Sequence, residues 1–297
     1  GGQVIADGLA AVVEDAGGTI HLRHAVTGIL VENGRATGLR WRGPRGEEGV
    51  LRAPVVVSNA DLKRTVLELL PEDAVAPDLR ARARAWEMGG AIFLTCLAVR
   101  ADLGALGMGA TNYWQFDQYD FDALYAEADD GTLPPVRGCY ITSATRKDPG
   151  TPGHAPAGIE TVEIMALVPG AAEAWGVAPH EVATPRYRSS AAYQAHKRRI
   201  EDDLVARLER LFPGATRDVV HRESATPVTH SRFTWATAGS GYGLAATPDQ
   251  FLEKRPGPRA PVPGLYFAGA NTRAGHGIVG ALTSGAQAVR AIERDGA

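Results

Sequence analysis

The chain has 297 residues, with 31 Lys and Arg against 34 Asp and Glu, 44% hydrophobic residues and two cysteines. This is ordinary globular composition, which excludes a disordered chain and a disulfide scaffold, and its length accommodates about two domains. A net charge of -3, with basic residues scattered along the chain, excludes a polyanionic partner such as nucleic acid. No run free of Asp, Glu, Lys and Arg exceeds 16 residues, short of the roughly 20 needed to cross a bilayer. Single cysteines in apolar runs and no signal peptide predict a reducing, cytoplasmic setting. Position 1 is Gly rather than Met, which predicts a natural start further upstream.

In chain order, Val4, Ile5, Leu9, Val12 and Val13 recur at helical spacing from Gln3 to Ala16, and Gly17-Gly18 supplies a left-handed stop. Thr19 to Leu22 reads as a strand. Val26 to Glu32 and Arg35 to Trp41 alternate about Asn33-Gly34, the signal for a type I′ hairpin. Val50 to Val57 reads as a further strand, whose triplet Val55-Val56-Val57 suits burial on both faces. After Asp61 the pattern is helical through Leu70 and again from Ala81 to Trp86.

Ala91 to Val99 predicts a strand, as do Gly138 to Thr142 and Ile159 to Val168, with a Pro- and Gly-rich loop from Asp148 to Gly158. Ala191 to Leu211 predicts a long helix with Ile200, Leu204, Leu208 and Leu211 on one face. A Pro-rich entry, Pro256 to Pro263, leads to a short strand Leu265-Tyr266-Phe267-Ala268, a Gly-rich loop, and a last helix from about Ile278 to Ile292.

The segment Gly264 to Gly280 delivers a strand into glycines at the start of a helix. Helix N-termini present unpaired N–H groups and partial positive charge, and glycines let the backbone approach a pyrophosphate or a flat ring. Gly275, Gly277 and Gly280 spell G-x-G-x-x-G, but six residues separate the strand end from Gly275 and only 17 follow Gly280. A dinucleotide fold needs its glycines directly after the strand and an acid about 20 residues further on. The loop therefore completes a site whose main nucleotide-binding unit lies outside this segment.

Other chemistries lack their signatures: no C-x-x-C, H-E-x-x-H, P-loop or G-x-S-x-G occurs, and no metal site is expected. His21 and His24, three apart in a strand reading, would point to opposite faces. His276 inside the Gly-rich loop is the one catalytic candidate, with a steric or hydrogen-bonding role favoured over acid-base work in the absence of a placed carboxylate. Asn112 to Tyr125 concentrates Tyr113, Trp114, Phe116, Tyr119, Phe121 and Tyr125 between aspartates. This segment suits an apolar substrate channel, a membrane surface, or an edge strand with one face in the core. Phe233 to Tyr242, with Gly239, Gly241 and Gly243, suits a wall beside the same cavity or an ordinary loop.

Taken together, the helix ending in Gly17-Gly18, the hairpin containing Val26, the Val55-Val56-Val57-Ser58-Asn59-Ala60-Asp61 strand end and the closing Gly264 to Ile292 resemble the phytoene desaturase-related flavoproteins. That family embraces carotenoid desaturases, carotenoid isomerases and retinol saturase-like oxidoreductases. Thr226-Pro227, Gly241-Tyr242-Gly243-Leu244 and Thr247-Pro248-Asp249-Gln250 extend the resemblance, which covers nearly the whole chain. It implies a mixed α/β fold: a discontinuous FAD/NAD(P)-binding glutathione reductase-like domain lacking its N-terminal βαβ, plus a mixed-sheet substrate domain. Residues 1–60 and 246–297 would belong to the FAD domain and residues 61–245 to the substrate domain.

The resemblance also implies FAD as cofactor, with Val26 meeting the adenine side through its backbone. Gly269 and Ala270 would approach the ribityl-pyrophosphate, and Gly277, Ile278 and Val279 would lie along the isoalloxazine. Ala270 stands where many amine oxidases place an acid, as in carotenoid desaturase-like members; Arg273-Ala274 replaces a His-Pro pair, and His276 stands where a small residue is expected. The implied activity is desaturation, isomerisation or saturation of a long apolar carotenoid or isoprenoid by hydride transfer to or from flavin N5. Tyr113, Trp114, Phe116 and Tyr242 are its substrate-side candidates. The implied partners are an apolar small molecule and the missing N-terminal FAD-binding segment or a chain that supplies it, with peripheral membrane contact. Two alternatives stand beside it: an amine or amino-acid oxidase, for which Arg273 is the candidate carboxylate anchor, and a noncatalytic, partner-dependent half of a split flavoprotein.

Overall fold

A computed structural model describes residues 2–123, 133–151 and 153–296. Tyr125 lies outside the described residues. The chain divides into two compact units, one formed by Gly1–Val4 with Gly90–Gly241 and the other by Ile5–Gly89 with Tyr242–Ala297. They are called the middle and the flanking unit.

The flanking unit opens on α1 (Gln3–Asp15), within which the division falls and none of whose residues is buried. Strands β1 (Ala25–Glu32), β2 (Arg35–Arg42) and β3 (Glu48–Arg52) form an antiparallel meander in the order β1-β2-β3. Asn33 and Gly34 both take positive φ, 50° and 74°, as the type I′ turn requires. Thr19 to Leu22 is not a strand: Arg23 turns at φ 60° and swings the His21 and His24 rings to within 5.4 Å, correcting their expected placement on opposite faces.

The run from Val50 to Val57 is also not one strand. It breaks at residues 53–55, where Pro54 cannot donate a ladder hydrogen bond, and resumes as β4 (Val56–Ser58) in a separate parallel pair. Val56 is buried but Val57 is 47% exposed, so the β-branched triplet is not covered on both faces.

Next, α2 (Leu62–Arg64) runs on into a π-helical turn, Thr65–Leu69, closed by the Leu70 N–H to the Thr65 carbonyl. The wide turn leaves carbonyls without helical partners, and the buried Arg80 of α3 (Pro77–Ala85) donates to two of them, Val66 and Leu67. Ile29, Val56, Leu62, Val66, Trp86, Leu244, Leu265 and Phe267 form the core.

The middle unit is a five-stranded antiparallel sheet with a helix on one face. Its strands are β5 (Ala91–Val99), β6 (Tyr113–Phe116), β7 (Gly138–Thr142), β8 (Glu160–Val168) and β9 (Val219–Ala225), ordered β6-β7-β8-β5-β9. Between them run the short α4 (Ala144–Lys147) and the long α5 (Ala191–Leu211), and α6 (Pro227–Thr234) follows β9. Burial along β5 alternates strictly, and Phe93, Leu97 and Val99 join Ile164, Ile200, Leu204 and Leu208 in one core cluster. Leu211, expected on the same helical face, is 38% exposed at the last position of the helix.

The chain then returns to the flanking unit with β10 (Leu265–Phe267), parallel to β4, and α7 (Gly277–Asp295). The buried stripe of α7 is Gly280, Ser284, Ala288 and Ala291, small residues one turn apart that let it lie close over Tyr266. Among the described residues no helix is long and apolar enough to cross a membrane.

Candidate flavin-facing site

The Gly-rich segment between β10 and α7 is held by a set of reciprocal hydrogen bonds. Ala268 N–H donates to the Ser58 carbonyl, continuing the parallel pair, and the chain then turns at Gly269 with φ 96°. A Cβ on Gly269 would stand 2.0 Å from Asn59 Oδ1, so both backbone angle and space demand glycine. Gly269 N–H donates 2.6 Å to Ser284 Oγ, and the Gly269 carbonyl accepts from the Thr272 N–H and hydroxyl. The polar groups of Gly269 are thus used within the protein. Its neighbour differs: the Ala270 N–H has no protein acceptor among the described residues.

Two side chains from outside the loop complete the brace. Asn271 Oδ1 accepts from Leu244 N–H at 2.8 Å, an approach that explains Gly243, where a Cβ would sit 2.1 Å from the same oxygen. Arg255 is 2% exposed and donates to the carbonyls of Gln250, Ala270 and Leu244. Gln250 in turn grips Glu87, accepting from its N–H and donating to its carbonyl. Four stretches, 87, 243–245, 250–255 and 270–271, are thereby fastened to one another.

The loop ends at the start of α7, where the finish is different. Gly275 and Gly277 take φ 90° and 79°, and a Cβ at either would meet nothing within 4 Å. His276 occupies the N-cap position without a side-chain capping bond, so the first-turn N–H groups stay open. Around them Ile278 and Val279 are 61% and 78% exposed. The His276 ring lies edge-on to Tyr242, centroids 5.1 Å apart, and makes no hydrogen bond or ion pair among the described residues. Arg273 pairs with Glu253 at 2.9 Å, which occupies it internally.

Val26 lies on β1 beside a register shift between Val26 and Gly28, an interruption of the ladder that leaves backbone groups locally unpaired. Gly269, Ala270, Gly277, Ile278, Val279, His276, Tyr242 and Val26 all fall in the flanking unit. The remaining predicted substrate residues are in the middle unit and do not share a face. Tyr113 turns inward, its ring 5.0 Å from Phe212 and its hydroxyl accepting from Gly109 N–H. Trp114 and Phe116, on the opposite face of β6, are exposed and form an aromatic cluster with Tyr140 and Phe121. Gly239 has a packing reason, its Cβ position lying 2.4 Å from the Pro227 carbonyl.

Among the described residues no His, Cys, Asp and Glu group could hold a metal. Both cysteines are free thiols; burial pushes Cys96 upward and raises Cys139 to about 11, which keeps them protonated. Arg255, Asn271, Ser284 and Gln250 have no place in the sequence reading as individual side chains. The glycines facing them, at 243 and 269, are the trace they leave in the sequence.

Residues 184–293 match the family model described as flavin containing amine oxidoreductase. The crystal structure of an oxidoreductase from Methanosarcina mazei has the same fold, with a TM-score of 0.56 and 19% identity over 97% of this chain and 53% of that one. The chain is 29% identical over 290 residues to a phytoene desaturase (neurosporene-forming) of Cereibacter sphaeroides, covering 96% of this chain and 51% of that protein. It is 26% identical over 294 residues to an all-trans-retinol 13,14-reductase of Rattus norvegicus, covering 95% and 46%. The chain spans about half the length of the curated relatives it matches. By fold it is a mixed α/β protein. Its matched relatives are a phytoene desaturase, a retinol reductase and a prolycopene isomerase, so the chain is similar to the carotenoid desaturase-related oxidoreductases.

Proposed function

We propose that the chain supplies the later segments of an FAD-dependent oxidoreductase that desaturates, isomerises or saturates a long apolar carotenoid or isoprenoid. The observation that carries this reading is the open N-terminus of α7, with uncapped N–H groups, clear space at Gly275 and Gly277, and exposed aliphatic side chains at Ile278 and Val279. These residues fit a flavin: the N–H groups and partial positive charge suit its electron-rich edge, and the aliphatic side chains suit a flat ring. The braced loop behind them adds the free Ala270 N–H for the ribityl-pyrophosphate. FAD, when bound, supplies hydride exchange with a substrate C–H.

The protein's own part is placement. Ser284, Asn271 and Arg255 fix the loop before any ligand arrives, so its N–H groups need no reorganisation. Ile278 and Val279 would exclude water from a bound ring, and the His276–Tyr242 ring pair would form an aromatic margin. Arg273, tied to Glu253, is poorly available for a substrate carboxylate, which weighs against an amino-acid oxidase. Residues 1–60 and 246–297 are assigned to the FAD domain and residues 61–245 to the substrate domain, whose first stretch, from Leu62 to Trp86, shares the core of the flanking unit. The complementary nucleotide-binding segment belongs to the same polypeptide or to a partner chain, and the exposed cluster about Trp114 and Phe116 is the site of peripheral membrane contact.

The test is a visible absorbance spectrum of the purified chain, alone and after addition of the complementary N-terminal segment, with the released chromophore identified after denaturation. FAD at near-stoichiometric occupancy in either sample supports the reading. A complex of chain and segment that stays colourless with FAD in excess rejects it.

A further inference from the structure

The flanking unit contains a cavity of about 390 Å³ that shares Arg255 with the brace of the flavin loop, bordered by α3 and by residues 253–261. Its charge is one-sided. Arg82, Lys254, Arg255, Arg259 and Arg273 line it against a single carboxylate, Glu253. Three of these cations are already neutralised: Lys254 by Asp249 at 3.0 Å, Arg259 by Asp295 at 2.7 Å and Arg273 by Glu253 at 2.9 Å. Arg82 and Arg255 have no carboxylate partner among the described residues.

Arg255 is the unusual member. Its guanidinium is withdrawn from water and held only by carbonyl oxygens, and burial draws its pKa below the ordinary arginine value. Carbonyl dipoles satisfy its N–H groups but leave its positive charge uncompensated, which is costly at low dielectric. Arg82 borders the same cavity from the exposed side of α3. Two uncompensated guanidinium charges match a phosphate monoester, which carries about -1.5 to -2 at neutral pH: Arg82 offers its fork, and Arg255, its N–H groups taken by carbonyls, offers charge alone. The remaining wall is apolar, with Trp86, Leu79 and Phe267, and the volume exceeds what a bare phosphate fills.

We infer that this cavity binds a phosphate-bearing organic anion, its phosphate toward Arg82 and Arg255 and its apolar part against Trp86. Arg255 also braces the flavin loop through the Ala270 carbonyl, whereas Arg82 belongs to the cavity alone, which makes Arg82 the side chain that separates the two sites.

The experiment is calorimetric titration of the full chain with phenyl phosphate and, separately, inorganic phosphate at 150 mM salt, for wild type, Arg82→Ala and Arg100→Ala. Arg82 is exposed and makes no internal bond, so its removal leaves the fold intact. Arg100, a surface residue of the middle unit, controls for general charge loss. Expected is saturable binding of phenyl phosphate, tighter than inorganic phosphate by about tenfold, weakened about tenfold in Arg82→Ala and unchanged in Arg100→Ala. If the two anions bind alike but still depend on Arg82, the site takes free phosphate and the organic assignment is overturned. No saturable binding, or equal losses in both variants, overturns the site itself. Displacement of phenyl phosphate by FAD would move it to the flavin loop, and so would also refute the cavity.

Discussion

The two long helices begin in opposite ways. The first N–H groups of α5 are met by its own chain, where the Ser190 hydroxyl accepts from Tyr193 N–H. Those of α7 have glycine on both sides of an N-cap histidine that caps nothing. The difference extends to the units that carry them: α5 presses Ile200, Leu204 and Leu208 into the core of the middle unit, whereas Ile278 and Val279 of α7 face outward. A helix end finished from within serves the fold, and one left to water stays open to a ligand, whose binding then adds stability.

The comparison can be broken first at α7. In a preparation that holds FAD, Gly277→Asp adds a carboxylate beside the flavin and a Cβ at φ 79°, and flavin affinity should fall at least 100-fold by fluorescence titration. Unchanged affinity would sink the assignment of this helix end. Gly269→Ala should come next, destabilising the chain by about 3 kcal/mol in a urea titration, because it forces Asn59 aside and strains the backbone. Ser284→Ala should cost roughly 2 kcal/mol, leaving the buried Gly269 N–H without its acceptor.

On the other helix, Ser190→Ala should cost only about 1 kcal/mol and leave flavin affinity untouched. The smallest effect concerns acid. The hydrogen bond from Arg207 holds the Asp117 carboxyl below its usual range, so this pair's contribution is present above the unfolded pKa of an aspartate. It is lost as pH falls through the lower native value. Asp117→Asn should therefore flatten the acid limb of the stability profile of the middle unit, while neutral-pH flavin affinity stays as it was.

Much of the middle unit was legible because a single force shapes it. Strict alternation at Ala91 to Val99 and a 3.6-residue period from Ala191 to Leu211 both arise from one buried face, and β5 and α5 have the predicted bounds. The flanking unit was less legible because its decisive contacts are polar and distant in sequence. Val50 to Val57 looks like one strand to any reading by hydrophobicity, and the missing N–H of Pro54 divides it between two sheets. His21 and His24 were misplaced because the turn at Arg23 has no glycine to announce it. Arg255 sits between Lys254 and Pro256 in what reads as a surface entry, although its guanidinium is among the most deeply buried polar groups of the chain.

The pairing of Val56 with Leu265 and the grip of Gln250 on Glu87, 163 residues apart, have a consequence for biosynthesis. Every strand of the middle unit has been made once Gly241 emerges from the ribosome. At that moment β4 is still an unpaired edge, with Val57 bare and its partner strand unsynthesised. Contacts so remote in sequence form late, and an unpaired strand edge is what chaperones guard and aggregation exploits. The nascent chain is thus most vulnerable over the few seconds in which the stretch from Tyr242 to Phe267 is added at about 5–20 residues per second. Slow codons placed before β10 would lengthen that exposure rather than assist folding.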